Sequence, residues 1–414
     1  MNGPLRILLI SNKCPPDVDG GFEQRAFQVA KALRARGHQV DFVTSRYRPT
    51  FHGERGDPEW VHRIFHFVMV SQVRNWWRAI DRLPRRVAMT TVARENVPAM
   101  ERFLEGREYD VAYCFGLHQI SLAVAAPLVA RGTPILWHAG DDYLASHLFF
   151  WPKTLPGYRL ALQLFARKIY ATERGLDYRH VAFVSEFLRE DCARMGFKPA
   201  CPRVISRGID FPLGTDVERP RTAPPVFFMA CRIHTQKGVH HAITAAEMLS
   251  RKRPDLDWRL EIAGVSYTGY RAELERRIQQ SGLGGRIAFA GQMPQQEVLA
   301  RMRDATAFLS CSTFGDPFAG TIIETLACGT PLIASDAGSA LEVVEPEVSG
   351  LVYEKENPGQ LAAHMERVLD DPALARRIAA AGVRVIAERY TLDRIIDRTE
   401  ATLAEVIAAG PYRK

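Results

Sequence analysis

Four side chains in the second half of this 414-residue chain have the types and spacing to handle a phosphorylated polyol. Arg232 and Lys237 stand five residues apart in Cys231-Arg232-Ile233-His234-Thr235-Gln236-Lys237-Gly238, a loop between an apolar strand-like run and a helical pattern. Arg offers a planar fork and Lys a compact charge, so the two can converge on a diphosphate. The alternative is a pair of solvated loop charges. Asp316 and Glu324 stand eight apart within Ser310–Gly338. Asp316 lies in a glycine-containing loop, and Glu324 on a short helix from Gly320 among Ile322, Ile323, Leu326 and Ala327. A carboxylate in such apolar company must be paired or must accept hydroxyls. Two carboxylates on successive turns of a cleft wall suit a sugar or a ribose. Near a helix N-terminus a carboxylate is also favoured with no ligand at all. In the first half, Asp19-Gly20-Gly21 closes the loop before a helix. Paired glycines there let amides approach an anion, or simply make a turn. A Gly-x-Gly-x-x-Gly dinucleotide fingerprint is absent.

The elements that must position these residues alternate along the chain. Strand-like runs occur at Arg6–Ser11, Gln39–Thr44, Val61–Val70, Val111–Phe115, Pro134–His138, Val181–Val184 and Arg203–Ile205. Between them lie helical patterns such as Phe22–Arg36, where Ala26, Val29, Ala30 and Leu33 form one apolar face. A polar, proline-rich stretch, Phe211–Pro225, reads as a linker. The alternation then restarts with Val226–Ala230, Trp258–Ala263, Arg286–Ala290, Ala307–Ser310 and Pro331–Ala334, and Pro358–Ala409 is helical in pattern. Strand–helix repetition predicts two doubly wound α/β domains in tandem with a cleft between them: 1–210, a linker 211–225, then 226–385, with 386–414 as a closing helix packing back on the first domain. Ligands of such sheets sit beyond the carboxyl ends of the strands.

Composition narrows the field. The chain carries 54 Lys+Arg against 47 Asp+Glu, a net of +7. Residues 1–210 hold 30 basic and 21 acidic side chains (+9), and the remainder 24 and 26 (−2). An anionic partner is therefore sought in the first half. The seven cysteines are scattered without a Cys-x-x-Cys pair, which argues against a zinc ribbon or a disulfide framework. No run of eighteen apolar residues occurs, and Leu5–Ile10 is too short for a signal peptide. The expected compartment is the cytoplasm.

The motifs together resemble the retaining glycosyltransferases of family 4, whose two Rossmann-like domains form the GT-B fold. The family pattern Glu, seven residues, Glu, then Ala-x-Gly-x-Pro is matched by Asp316, Glu324 and Ala327-Cys328-Gly329-Thr330-Pro331. Gly20-Gly21, Gly37-His38-Gln39-Val40, Arg207-Gly208-Ile209-Asp210 and Arg232…Lys237-Gly238 match the remaining motifs. The resemblance implies that Arg232 and Lys237 bind the donor diphosphate and that Glu324 holds the ribose hydroxyls. It further implies that Asp316 contacts the transferred sugar and that the amides of Phe318, Ala319, Gly320 and Thr321 face sugar and phosphates. Gly20 and Gly21 would approach the diphosphate from the other domain.

Three departures qualify this. Asp316 is one methylene shorter than the family's Glu. The family's histidine position after the fourth strand is Phe115 here, with His118 three residues on, and His138 stands near the family's second His-Asp pair. His118 and His138 are thus either catalytic or structural. No metal or other cofactor is expected, since Asp17-Val18-Asp19 and Asp255-Leu256-Asp257 read as loop strings and Arg and Lys replace a cation.

The resemblance puts the acceptor (a glycan, a lipid-linked sugar or a small molecule) on the basic first domain. Two aromatic–basic stretches, Gln72–Arg107 with Trp76, Trp77, Arg82, Arg85 and Arg86, and Leu148–Tyr170 with Trp151 and Arg167, suit peripheral contact with an anionic inner membrane. The alternative is a surface helix whose Arg stems cover apolar groups, and Pro84 is expected to interrupt the first stretch. A nucleotide sugar, UDP- or GDP-linked, is the expected donor, and nucleic acid is not an expected partner. A nucleotide-sugar epimerase and a catalytically degenerate sugar-nucleotide-binding partner are the competing functions.

Overall fold

The structure, a computed structural model, describes residues 3–18, 21–47, 56–68, 78–148, 167–214, 224–266 and 269–411. The chain divides into two compact units, Met1–Ile205 with Ile396–Lys414 and Ser206–Ile395.

The first unit is built on β1 (Arg6–Ser11), β2 (Gln39–Ser45), β3 (Val61–Phe65), β4 (Val111–Phe115), β5 (Ile135–Ala139), β6 (His180–Phe183) and β7 (Cys201–Val204). They form one parallel sheet in the order β3-β2-β1-β4-β5-β6-β7. Every residue of β4 and β5 is buried, as expected of central parallel strands covered on both faces. Helices α1 (Gly21–Ala35), α2 (Arg78–Phe103), α3 (Ala126–Ala130), α4 (Tyr143–Leu148), α5 (Arg167–Arg174) and α6 (Glu186–Arg194) complete the unit. The face of α1 expected from periodicity is the buried one, with Arg25 added to it.

Strand β3 stops five residues short of the expected Val70 because a side chain takes over the backbone of His66. The His66 amide donates to Asn96 Oδ1 at 2.8 Å, and Asn96 Nδ2 donates to the His66 carbonyl at 2.9 Å. Helix α2 runs through Pro84 instead of breaking there, so one missing amide donor does not end it. The side chains of residues 78–90 and 167–170, and all of residues 71–77 and 149–166, lie outside the described residues. So, therefore, does most of both aromatic–basic stretches.

The second unit repeats the plan with β8 (Val226–Ala230), β9 (Arg259–Ala263), β10 (Ile287–Gly291), β11 (Ala307–Ser310), β12 (Leu332–Ser335) and β13 (Leu351–Tyr353), all parallel, in the order β10-β9-β8-β11-β12-β13. Its helices are α7 (Val239–Lys252), α8 (Tyr270–Gln280), α9 (Gln295–Asp304), α10 (Gly320–Ala327), α11 (Ala340–Val343), α12 (Pro358–Asp370) and α13 (Pro372–Arg389). Helix α14 (Leu392–Ala409) starts in this unit, and its residues from Ile396 on belong to the first. Alternate residues of β8 serve two core layers. Phe227 and Met229 pack with Val239, Ala242 and Ile243 of α7, whereas Phe228 packs with Ile322, Ile323 and Leu326 of α10. Burying α10 this way sets the position of Glu324. Asn357 and Asp371 cap α12 and α13 by accepting from Gln360 and Leu374 amides, each followed by Pro at the first helical position.

Candidate functional site

In both sheets the strand order reverses about the first strand, between β1 and β4 and between β8 and β11. Such a switch point leaves a crevice at the carboxyl ends of the two strands. In the second unit the loops leaving β8 and β11 are sewn together there. The Thr313 amide donates to the Gln236 carbonyl at 2.9 Å. Gly238, in the left-handed region at φ 64°, lies so close that a Cβ would stand 1.8 Å from the Cys311 carbonyl oxygen. Only glycine fits both the dihedral and the gap.

That close approach brings Lys237 onto Asp316. Lys237 Nζ donates to Asp316 Oδ2, and it sits 5.0 Å from the centre of the Phe314 ring. The pair is mostly buried, with side-chain exposures of 22% and 12%. The backbone of Asp316 is held in turn by the Ser339 amide, which donates to its carbonyl at 3.1 Å. Arg232, on the same loop as Lys237, is exposed and makes no hydrogen bond to a described residue. The structure thus joins Lys237 to Asp316 and leaves Arg232 facing solvent.

Glu324 forms a second pair that spacing did not foretell. Arg207 Nη2 donates to Glu324 Oε1 at 2.7 Å, and Gln295 Nε2 reaches the same oxygen at 3.4 Å. Burial pushes the Glu324 carboxyl above its ordinary range, and the charge and hydrogen bond of Arg207 pull it only part of the way back. Phe318, Ala319, Gly320 and Thr321 lead into α10, which has no side-chain cap. Their positions leave the first amides of that helix available to an anion. The arrangement offers a cation, an exposed guanidinium, two carboxylates and a helix N-terminus around one strand end.

The first unit furnishes its switch point differently. Asn12, just after β1, donates from Nδ2 to His118 Nδ1 at 3.2 Å and accepts the Gln119 amide on Oδ1 at 3.0 Å. His118 is half-buried beside Tyr143, ring centres 5.7 Å apart. His138 is fully enclosed, stacked on Phe115 at 4.5 Å with Nδ1 2.7 Å from the Tyr113 hydroxyl. Burial and the nearby Arg25 charge hold its imidazole well below the ordinary value. It is packed within the core of the first unit. Gly21 opens α1 and is exposed, whereas Asp19 and Gly20 lie outside the described residues.

Two groups of the first unit escaped the sequence reading. Lys13 is buried with Nζ 4.2 Å from the Tyr47 ring centre. Glu173, also buried, accepts from the Ser121 hydroxyl at 2.6 Å and pairs with His147 Nε2 at 2.8 Å. Burial drives its carboxyl upward, but the His147 and Ser121 bonds prevail and bring it below the usual value. Partners this far apart in sequence leave no periodic signal. Among the described residues no group of three or more His, Cys, Asp or Glu could hold a metal ion, and no helix is long and apolar enough to cross a membrane. None of the seven cysteines is in a disulfide.

Residues 19–211 match the family described as Glycosyltransferase Family 4, and residues 215–385 match Glycosyl transferases group 1. Glycogen synthase of Mycobacterium tuberculosis is 27% identical over 445 residues, covering 98% of this chain and 95% of that one. The solved structure of sucrose-phosphate synthase from Thermosynechococcus elongatus matches with a TM-score of 0.70 at 19% identity, over 97% of this chain and 99% of that one. That of Anabaena HepE in complex with UDP-glucose matches with a TM-score of 0.65 at 19% identity, over 97% and 100%. With its two Rossmann-like units of the GT-B type, the chain belongs to the family 4 glycosyltransferases.

Proposed function

We propose that the protein is a retaining, metal-independent glycosyltransferase that moves a sugar from a UDP- or GDP-sugar to a hydroxyl of a glycan, glycolipid or small molecule. The observation that carries this reading is the meeting of Lys237 with Asp316 at the β8–β11 switch point, next to the helix bearing Glu324. Lys237, with Arg232, would neutralise the diphosphate as it leaves. Asp316 would accept sugar hydroxyls, and Glu324 ribose hydroxyls. The anomeric C–O bond to the diphosphate breaks while the bond to the acceptor oxygen forms on the same face. The acceptor proton passes to the departing phosphate oxygen, so no side chain need serve as general base. HepE, solved with UDP-glucose, supports the donor class through shared fold.

The +9 charge of residues 1–210 suits an acceptor that carries phosphate or lies at an anionic membrane surface. The test is incubation with a panel of UDP- and GDP-sugars, with and without acceptors, in the presence of EDTA, followed by NMR of the product anomer. Slow nucleotide release, accelerated by an acceptor and giving the donor's own anomeric configuration, is the expected result. Epimerised donor without an acceptor, inverted product, activity abolished by EDTA, or no turnover with any donor would contradict the proposal.

A further inference from the structure

The backbone around Arg207 is fixed firmly. The Ile209 amide donates to the Tyr390 carbonyl and the Leu392 amide to the Ile209 carbonyl, both at 2.8 Å. Gly208 is pressed so close to Leu392 that a Cβ would lie 2.7 Å from its Cα. From this anchor the guanidinium crosses the start of α10. Its Nη1 occupies the space beside Gly320, 2.3 Å from where a Cβ would be. Any side chain at position 320 would displace it.

What the guanidinium does there is read from which atoms it meets. Arg207 Nη2 and Gln295 Nε2 both donate to Oε1 of Glu324, at 2.7 and 3.4 Å. Oε2 accepts neither. Arg207 Nε is buried with no partner among the described residues, so the side chain is held by shape and by that one carboxylate oxygen. A buried carboxylate with one oxygen fixed has its rotamer set and its other oxygen aimed.

We propose that Arg207, seconded by Gln295, is a positioning residue that pins Glu324 by Oε1 and thereby presents Oε2 to a ribose hydroxyl of the donor nucleotide. This rests on the nucleotide-sugar reading above. Its signature is discrimination, because removing Arg207 weakens the grip on the hydroxyl and leaves base and phosphate contacts alone. A merely structural Arg207 would weaken every nucleotide alike.

The experiment is calorimetric titration of the full chain with UDP, GDP and their 2′-deoxy and 3′-deoxy counterparts. The native protein should favour one ribonucleotide over at least one deoxy form by about 10-fold, the worth of a hydroxyl on a charged acceptor. In Arg207→Ala the ribonucleotide affinity should fall to that of the deoxy form, whose own affinity stays within about two-fold. Gln295→Ala should lower the ratio about two-fold, and Arg207→Lys should restore part of it. Retained deoxynucleotide binding shows that a variant is folded. Should the alanine variant unfold, Arg207→Lys and Gln295→Ala carry the same ratio test. An unchanged ratio in the variants, or none in the native protein, overturns the proposal while nucleotide binding stands. If the native protein binds neither UDP nor GDP, the nucleotide reading fails and the proposal falls with it.

Discussion

The two units share one strand order around their first strand, yet the ends of those strands are furnished with opposite chemistry. At the β8–β11 switch point two ion pairs lie in partly buried surroundings, Lys237 with Asp316 and Arg207 with Glu324. The β1–β4 switch point carries Asn12 and His118, backed by the enclosed aromatic group of Phe115 and His138. Topology decides where a ligand can sit, and the side chains decide which ligand. Under the proposed function, the paired charges at the second unit would exchange partners for a diphosphate and hydroxyls.

This contrast can be broken by mutation, and the largest effect is expected at Lys237. Lys237→Ala should lower transfer kcat/KM about 10²–10³-fold, since it removes a preorganised cation from the leaving group and strands Asp316. The counterpart change in the first unit, His118→Ala, should cost less than about 10-fold if the departing phosphate takes the proton. Steady-state kinetics with the best donor of the panel reads both. Equal losses would erase the distinction between the two switch points.

Next in size is the difference between two glycines, one at each switch point. A Cβ on Gly238 meets the rigid Cys311 carbonyl at 1.8 Å, whereas one on Gly116 (φ 52°) meets the movable Phe22 ring at 3.0 Å. Gly238→Ala should destabilise the fold by roughly 3 kcal/mol or more, and Gly116→Ala by about 1 kcal/mol. Urea unfolding midpoints would show the order, and the reverse order would mean that the β8–α7 loop can yield.

The smallest effect concerns pH. His138 is held well below the ordinary imidazole value of 6.5 by burial first and the Arg25 charge second. Below pH 6.5 the unfolded chain therefore takes up a proton that the folded unit refuses, and stability falls as pH drops. The loss approaches about 1.4 kcal/mol per pH unit for one such group. His180, His240, His241 and His364 are shifted the same way, so the measurement is a difference between proteins. His138→Gln should flatten the slope between pH 6.5 and the native protein's acid limit by one proton. An unchanged slope would show that the imidazole is protonated in the fold after all.

Much of the architecture was legible because parallel strands buried on both faces read as continuous apolar runs, as in Val111–Phe115 and Val226–Ala230. Strand β13 was missed since Leu351–Tyr353 is too short to show a period. The end of β3 was misjudged because it depends on Asn96, thirty residues away. At the site, Lys237, Asp316 and Glu324 announced themselves through unusual residues in apolar or glycine-rich company. Arg207 did not, because its partner lies 117 residues on and only the fold brings them together. His138, open in the sequence between a catalytic and a structural role, lies on strand β5, which is buried throughout.

If the second unit takes the donor nucleotide through its paired charges, hydrogen–deuterium exchange with and without saturating UDP or GDP will register it there. The expected result is slower exchange in peptides spanning 231–239 and 313–327 of the native protein, and no such change in Lys237→Ala. Protection confined to peptides of the first unit, or equal protection in the Lys237 variant, would contradict it.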